Sequence, residues 1–383
     1  MEELRLILTV VGGYVSESDM YNNAFVHARV KVYLQEGVDA RVFWLTNRKT
    51  PSTYLIEGVS VTVGRHKDLL EFIDQNDVEA LCFHFFDTKM IGVLDDIARP
   101  FPVFIFVHGN EALMWYERIF PGRLSGVIPF LKFAKYVMVN TYSIQKIRKF
   151  LKHTKHNVQI VCVSEWMKKK MMENWRVPDG QNIHIIPNVI NDRVFKYYEK
   201  DPEQRFNLLM IRNFSHGKYA PDQAIKVIQS LSKYEVFSSM KIRIIGRGRL
   251  FKKYTSLLSD YPNVEVNHGF MSQREVAEIH KDYGLFLCPT RQDAQGVSMC
   301  EAMSSGLIPI TSLNTAIPEF VPMKYGIACK SVDEMVDKIL EIIYNPELFK
   351  EISAECSRFI QKKCSLQNTT EREIRLISEL AKV

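Results

Sequence analysis

Short apolar runs recur along almost the whole of this chain, and most are separated by a segment of helical period. In the first half the runs are RLILTVVGG (5–13), ARVFWL (40–45), VSVTVG (59–64), ALCFHFFD (80–87), PVFIFVHG (102–109), NVQIVCVS (157–164) and NIHIIPN (182–188). Helical patterns fall at about 21–35 and 67–76. The second half repeats the alternation with RFNLLMI (205–211), KIRIIG (241–246), NVEVNHG (263–269), LFLCPT (285–290) and LIPITS (307–312). Its helices lie at about 221–232 and 273–281, with a helical tail beyond about 336. Brief runs that stay apolar on both faces are strands buried in a parallel sheet. Their alternation with helices implies right-handed crossovers and an α/β architecture. At 383 residues the chain is expected to form two domains. The charged stretch NDRVFKYYEKDPEQR (191–205) lacks apolar period and reads as their boundary, giving domains 1–198 and 199–383.

Composition excludes several classes. No apolar stretch approaches the roughly 20 residues of a membrane span, and MEELRLILTVVGG does not read as a secretory signal. The seven cysteines form no CxxC pair, so buried free thiols in a reducing cytosol are expected. No His, Cys and Asp cluster has metal-ligand spacing, and neither a metal nor another cofactor is expected.

The segment from Thr290 to Glu319, TRQDAQGVSMCEAMSSGLIPITSLNTAIPE, points most directly to chemistry. A buried strand at 285–288 leads into a polar loop with Gly296, then a helix over Val297 to Ser305 closed by Gly306. A strand, loop and helix N-terminus is where an open α/β sheet places its ligand. Free amides and the helix dipole suit a phosphate there, with Val297 and Ser298 at the helix start. Glu301 lies one turn inside, and helical side chains lean toward the N-terminus, so its carboxylate reaches back to the same place. Asp293 precedes the helix in the loop. An acid on each side of an anion site suggests a phosphate-bearing ligand with hydroxyl groups, which a nucleotide sugar satisfies.

The motifs, taken in order, resemble those of the GT-B fold glycosyltransferases of family 4, over nearly the full length. Asp293, then seven residues, then Glu301-Ala302-Met303 resembles the family's paired acids; the family's first acid is usually Glu followed by Gly-Phe-Gly, whereas here Asp293 is followed by Ala294, Gln295 and Gly296. Gly12-Gly13 resembles the first glycine-rich loop and His108-Gly109 the His-Gly loop. VCVSEWMKKKM and IHIIPNVIND also fall in family order, as do IIGRG (244–248) and Pro318-Glu319. Arg212 and Lys218 resemble the Arg and Lys that clamp the donor diphosphate, with one extra residue between them and a Tyr after the Lys where Gly is usual.

This resemblance implies two Rossmann-like domains facing each other across a cleft, with the last helix, about 366–383, returning to the first. It implies a retaining, metal-independent hexosyltransferase whose C-terminal half holds a UDP- or GDP-type donor sugar and whose N-terminal half holds a glycan or lipid-linked acceptor. Glu301 would hold the ribose hydroxyls and Asp293 the donor-sugar hydroxyls. Val297 and Ser298 would donate amides to phosphate, and Arg212 and Lys218 would neutralise the diphosphate. His108 either faces the cleft as a catalytic group or is a satisfied core histidine. Gly12 and Gly13 either allow close approach of a ligand or serve a turn needing positive φ. Gly246 and Gly248 read mainly as turn glycines, and His84 as structural. A non-catalytic nucleotide-sugar-binding partner of an active transferase is one alternative, suggested by the altered DAQG loop; a nucleotide-sugar epimerase on the same fold is another.

Charge adds one expectation. Net charge is +6, yet residues 131–172 hold ten Lys and Arg against Glu165 alone, +9 in one segment and −3 in the rest. The cations are mixed with Phe133, Tyr136, Tyr142, Phe150 and Trp166, and Phe130 comes just before. This reads as either a solvated helical face or a peripheral contact with an anionic membrane. No nucleic-acid motif accompanies the charge, and no nucleic-acid partner is expected.

Overall fold

The computed structural model describes residues 6–17, 19–20, 22–47, 50–120, 127–180 and 182–381, with side chains for all but 127–130 and 381. The chain divides into two compact units. The first is built from Met1–Ile119, Gly126–Val189 and Leu366–Val383, the second chiefly from Ile190–Ser365.

The first unit carries an eight-stranded sheet. Its strands are β1 (Leu6–Val11), β2 (Ala40–Leu45), β3 (Ser52–Ile56), β4 (Val59–Gly64), β5 (Val78–His84), β6 (Pro102–Val107), β7 (Asn157–Cys162) and β8 (Ile183–Ile185), in the order β3-β4-β2-β1-β5-β6-β7-β8. All pairs are parallel except β3 with β4, a hairpin closed by Glu57 and Gly58, both at positive φ as its two-residue turn requires. β3 escapes sequence reading because STYLI is an exposed edge strand without a continuous apolar face. The helices Thr88–Asp96 and Val127–His153 also lie outside the sequence expectation. The run read as a strand over 80–87 ends at His84, because Phe85 turns to positive φ and Asp87 caps the next helix through the amides of Lys89 and Met90. The expected helix at 21–35 begins at Ala24, and Tyr21 lies outside the described residues.

The second unit has a six-stranded parallel sheet: β9 (Asn207–Asn213), β10 (Lys241–Arg247), β11 (Val264–His268), β12 (Leu285–Leu287), β13 (Ile308–Ser312) and β14 (Ala328–Cys329), ordered β11-β10-β9-β12-β13-β14. The stretch 190–198 belongs here. Phe195 is buried in this unit, its carbonyl accepts from Ser304 Oγ at 2.6 Å, and the Ile190 amide donates to Cys364 O at 2.9 Å. The helical tail resolves into Val332–Tyr344, Pro346–Cys364 and Thr370–Ala381.

The last of these helices is tied to the first unit by a buried network. Arg29 Nε donates to Glu373 Oε2 at 2.9 Å, with both side chains about 1% exposed. Tyr33 Oη donates to the same oxygen at 2.8 Å, and Arg29 Nη2 to Asn188 Oδ1 at 3.2 Å. Ile377, one turn along, joins the apolar core around Ile7, Val30 and Phe104. All seven cysteines are buried free thiols.

Candidate functional site

In the second unit the strand order reverses between β9 and β12, so the loops after these two strands open on one crevice. Arg212, at the end of β9, reaches across it. Its buried guanidinium donates through Nη2 to the carbonyls of Cys288 (3.0 Å) and Pro289 (3.1 Å), and Nη1 lies 3.4 Å from Ser298 Oγ. Nε is enclosed and has no partner. Gly246 makes this placement possible. It pairs in register with Arg212, and a Cβ there would stand 2.2 Å from the Arg212 carbonyl oxygen. Gly246 is therefore a close-approach glycine inside β10, not the turn glycine expected. Gly248, at φ +133, does serve a turn.

Lys218 sits half-buried in the short turn Gly217–Tyr219. Arg291 holds that turn: its amide donates to Lys218 O at 2.8 Å and its Nη1 to Gly217 O at 2.7 Å. The same guanidinium forms a two-pronged pair with Asp222 at 2.8 and 2.6 Å. Burial alone would raise the Asp222 carboxyl, but the Arg291 hydrogen bonds and charge outweigh it and hold the group below its usual value. The tyrosine that follows Lys218 lies between the two cations, with Arg212 Cζ 5.5 Å and Lys218 Nζ 5.1 Å from the Tyr219 ring centre.

The helix Val297–Ser304 starts at Gly296, which takes φ +80 and has no side-chain cap. A Cβ on Gly296 would stand 3.2 Å from Ile317 Cδ1, so the left-handed start and the close packing both call for glycine. The first amides of this helix, Val297 and Ser298, stand beside the Arg212 guanidinium that contacts Ser298. Uncapped amides, the positive end of a dipole and a fixed cation are together an arrangement that can hold an anion.

Asp293 does something the sequence does not reveal. Its Oδ1 accepts from the Gly296 amide at 2.9 Å and the Gln295 amide at 3.3 Å, so one oxygen of the carboxylate expected to meet donor-sugar hydroxyls shapes its own loop. Its own amide donates to Thr315 Oγ1 at 3.1 Å. Thr315 adopts φ +48, a costly conformation for a β-branched residue. Glu301 is half-buried one turn into the helix, and Gln273 Nε2 donates to its Oε1 at 3.2 Å. Burial pushes the Glu301 carboxyl up to about 8, against the pull of the Gln273 amide.

In the first unit, His108 follows β6. Its ring stacks on His84 at 5.1 Å and packs against Phe25 and Phe85. His84 Nδ1 and His108 Nε2 are 2.8 Å apart, so one ring donates to the other, and His108 Nδ1 is enclosed without a partner. Desolvation first holds both imidazoles well below the usual histidine value, followed by His108 and then Arg29 at His84 and by Arg29 at His108, so both are neutral near pH 7. His84 thus holds His108 in place, which is a structural role. Neither Gly12 nor Gly13 takes positive φ. A Cβ on Gly12 would meet nothing within 4 Å, whereas one on Gly13 would meet the Asn22 side chain at 3.0 Å. Both glycines border a cavity of about 540 Å³ at the carboxyl ends of β1, β2, β5 and β6, whose wall includes Glu111, a residue without any sequence signal beyond standing three places after His108.

Among the described residues, no group of three or more His, Cys, Asp or Glu is placed to hold a metal, and no helix is long and apolar enough to cross a membrane.

Residues 193–359 match the family model described as "Glycosyl transferases group 1". No curated protein matches the chain by sequence. Solved structures do match. Sucrose-phosphate synthase from Thermosynechococcus elongatus aligns at TM-score 0.71 and 11% identity, covering 98% of this chain and 99% of that one. WaaG, a glycosyltransferase involved in lipopolysaccharide biosynthesis, aligns at TM-score 0.65 and 13% identity, covering 97% and 99%. TarM, in a complex with fondaparinux, alpha-GlcNAc-glycerol and UDP, aligns at TM-score 0.57 and 17% identity, covering 80% of this chain; the chain spans only 58% of TarM's length. At these identities the matches show the fold, which is GT-B.

Proposed function

From a glycosyl transferases group 1 domain at residues 193–359, carried on a GT-B fold, we propose that this protein is a retaining glycosyltransferase. It moves a hexosyl group from a nucleoside-diphosphate sugar to a hydroxyl of a glycan or lipid-linked acceptor. The observation that carries this reading is the Arg212 guanidinium set against Ser298 at the uncapped helix start, with Lys218 held nearby. A departing diphosphate gains negative charge as the glycosidic bond breaks, and prepositioned cations and amides stabilise that charge without reorganising. The acceptor oxygen bonds to the anomeric carbon on the face the diphosphate leaves, and the acceptor proton passes to the departing phosphate oxygen. Glu301 accepts the ribose hydroxyls, and Asp293 meets the donor sugar with the oxygen not spent on the loop. His108, neutral and fixed by His84, lines the acceptor side of the chemistry. Two side-chain cations at the diphosphate do the work a divalent metal does elsewhere, so catalysis is metal-independent. UDP named in the TarM complex supports a nucleoside diphosphate as the leaving group.

The test is a thermal-shift screen with UDP, GDP, ADP, TDP and their sugars, followed by turnover of the donor that binds. A bound donor raises Tm by mass action. Activity should survive EDTA, and Arg212→Ala should lower kcat by about 10²–10³ with a smaller change in KM. Loss of activity in EDTA with recovery in Mg²⁺ would overturn the metal-free mechanism, and no stabilisation by any nucleotide would overturn the donor assignment. The use of Asp293 Oδ1 inside the loop favours a second reading, in which the chain binds the sugar nucleotide and leaves transfer to a partner. Donor binding without release of sugar or nucleotide would support that reading.

The helix Val127–His153 supports a membrane-proximal acceptor. Leu131, Lys135, Met138, Tyr142, Lys146 and Lys149 recur at helical spacing on one face, and Leu131, Met138 and Tyr142 are 62%, 66% and 54% exposed. Three other cations of the basic segment are spent differently: Lys168 pairs with Asp179, Lys170 with Glu117 and Glu173, and Arg148 Nε donates to Asn174 O. Of the expected aromatics Tyr142 is the one on this exposed stripe: Phe150 is core, Phe133 packs beside Trp115 and Tyr136, and Trp166 is half-buried on the separate helix Glu165–Trp175. The side chain of Phe130 lies outside the described residues. The interface is therefore one basic and apolar helical stripe, reversible on an anionic surface.

A further inference from the structure

The cavity in the first unit is lined by groups that discriminate among acceptors. Trp44 is fixed by its Nε1 donating to Gly12 O at 3.1 Å, and with Phe85 and Tyr136 it supplies aromatic wall. Polar groups stand between the rings, and among the described lining residues Glu111 is the one with an enclosed side-chain oxygen that has no partner. Its side chain belongs to a residue only 9% exposed. Oε1 accepts from the His108 amide at 2.5 Å, while Oε2 is enclosed and has no partner. A buried carboxyl oxygen left without a partner costs free energy that a bound hydroxyl removes. Burial pushes this carboxyl up to about 7, with the amide of His108 pulling the other way, so near neutral pH it can either donate to or accept from a hydroxyl. Among the described residues no Lys or Arg lines the cavity, and its two carboxyl groups are Asp87 and Glu111. The cation Arg118 donates to the Tyr136 hydroxyl at 3.0 Å and is not part of the wall. A phosphate or carboxylate placed here would meet two acids and no cation in the wall, the charge of Arg118 reaching Glu111 only as a minor pull against its burial.

We propose that this cavity takes an uncharged sugar ring of the acceptor, stacked on the aromatic wall and hydrogen-bonded by one hydroxyl to Glu111 Oε2, and that it excludes anionic sugars. The proposal rests on the transferase reading and names the acceptor class for it. A sugar ring has the required shape, with an apolar face for the rings and an edge of hydroxyls for amides and acid. The volume of about 540 Å³ falls within the roughly 300–1,000 Å³ of small-molecule sites.

Saturation-transfer NMR on the full chain without nucleotide tests it, using methyl glucoside, methyl galactoside, methyl mannoside and methyl N-acetylglucosaminide as probes against glucose 6-phosphate and glucuronate. At least one neutral methyl glycoside should give transfer, with the anionic sugars at least tenfold weaker. Glu111→Ala should lower the signal at least tenfold and Glu111→Gln should retain part of it. Gly12→Leu guards against misfolding at Glu111, because a Cβ at Gly12 meets no atom within 4 Å and the side chain grows into the cavity. It should abolish the signal while leaving UDP-induced stabilisation, read separately by thermal shift, unchanged. Anionic sugars binding as well as neutral ones, no signal from any methyl glycoside, or a signal unmoved by both Glu111→Ala and Gly12→Leu would each overturn the proposal. Glycoside binding is read without a donor, so its failure leaves the donor chemistry standing, and failure of the donor assay leaves the cavity assignment standing.

Discussion

Arg291 grips Asp222 through Nη1 and Nη2, and the backbone amide of Arg291 closes the turn that carries Lys218. The pair is partly exposed, 20% and 28%, so its ion-pair energy is screened while its geometric effect on Lys218 remains. Asp222→Ala should destabilise the protein by about 1–2 kcal/mol in urea titrations. It should also weaken nucleotide-sugar binding without removing any group that touches the donor. Unchanged donor affinity in calorimetry would show that Lys218 is placed by something else.

Glu301 makes a pH-dependent contribution whose sign is set by its burial. A carboxyl held near 8 in the folded protein and near 4.3 unfolded binds its proton more tightly when folded. The associated stability is complete below about 4.3 and is lost as pH rises through 8. Glu301→Gln should therefore raise Tm relative to the parent protein at pH 9 and change it little at pH 5. Donor binding should respond the other way. Measured at pH 9, where the carboxylate is charged, Glu301→Ala should weaken it by about 1.5–3 kcal/mol, the range for a hydrogen bond to a charged group. Donor affinity unchanged within error would remove Glu301 from the ribose site.

The Arg29–Glu373 pair joins the start of the chain to its last helix with both side chains enclosed. Removing one partner leaves a buried charge uncompensated, and Glu373→Ala should cost about 3–5 kcal/mol in chemical denaturation. A loss below 1 kcal/mol would mean the helix docks through its apolar face alone.

The basic stripe on the helix Val127–His153 should bind anionic vesicles and not neutral ones, with affinity falling steeply as salt rises. Replacing Lys135, Lys146 and Lys149 together by alanine should cost about a hundredfold in vesicle affinity, at about 1 kcal/mol for each cation. Sedimentation with phosphatidylserine vesicles measures it, and equal absence of binding to both vesicle types would favour a soluble acceptor.

Much of the candidate site is legible in the order of residues along the chain. Asp293, Gly296, Ser298 and Glu301 lie within nine positions of one another, and a strand, loop and helix start is a local pattern that short-range spacing reports. Less legible is what holds them. Gln273 reaches Glu301 across 28 positions, and Arg291 reaches Asp222 across 69. Glu111 carries no pattern at all, since a single acid in HGNEAL looks like any loop acid until its burial is known. The exposed strand β3 and the 127–153 helix stayed hidden for a related reason: their apolar residues are not confined to one periodic face.

The sequence by itself determined the class of this protein: alternating strands and helices, two parallel sheets, and a phosphate-suited loop after β12. These follow from hydrophobic period and turn chemistry, which act between residues close along the chain. Tertiary structure alone decided which side chains are free to act. Arg212 is pinned to two carbonyls with its Nε left without a partner, Asp293 is half spent on its own loop, His108 is locked to His84, and Glu111 faces a cavity with an oxygen unpaired. Burial and hydrogen-bond satisfaction depend on segments brought together from distant parts of the chain, so no local reading of residues can supply them.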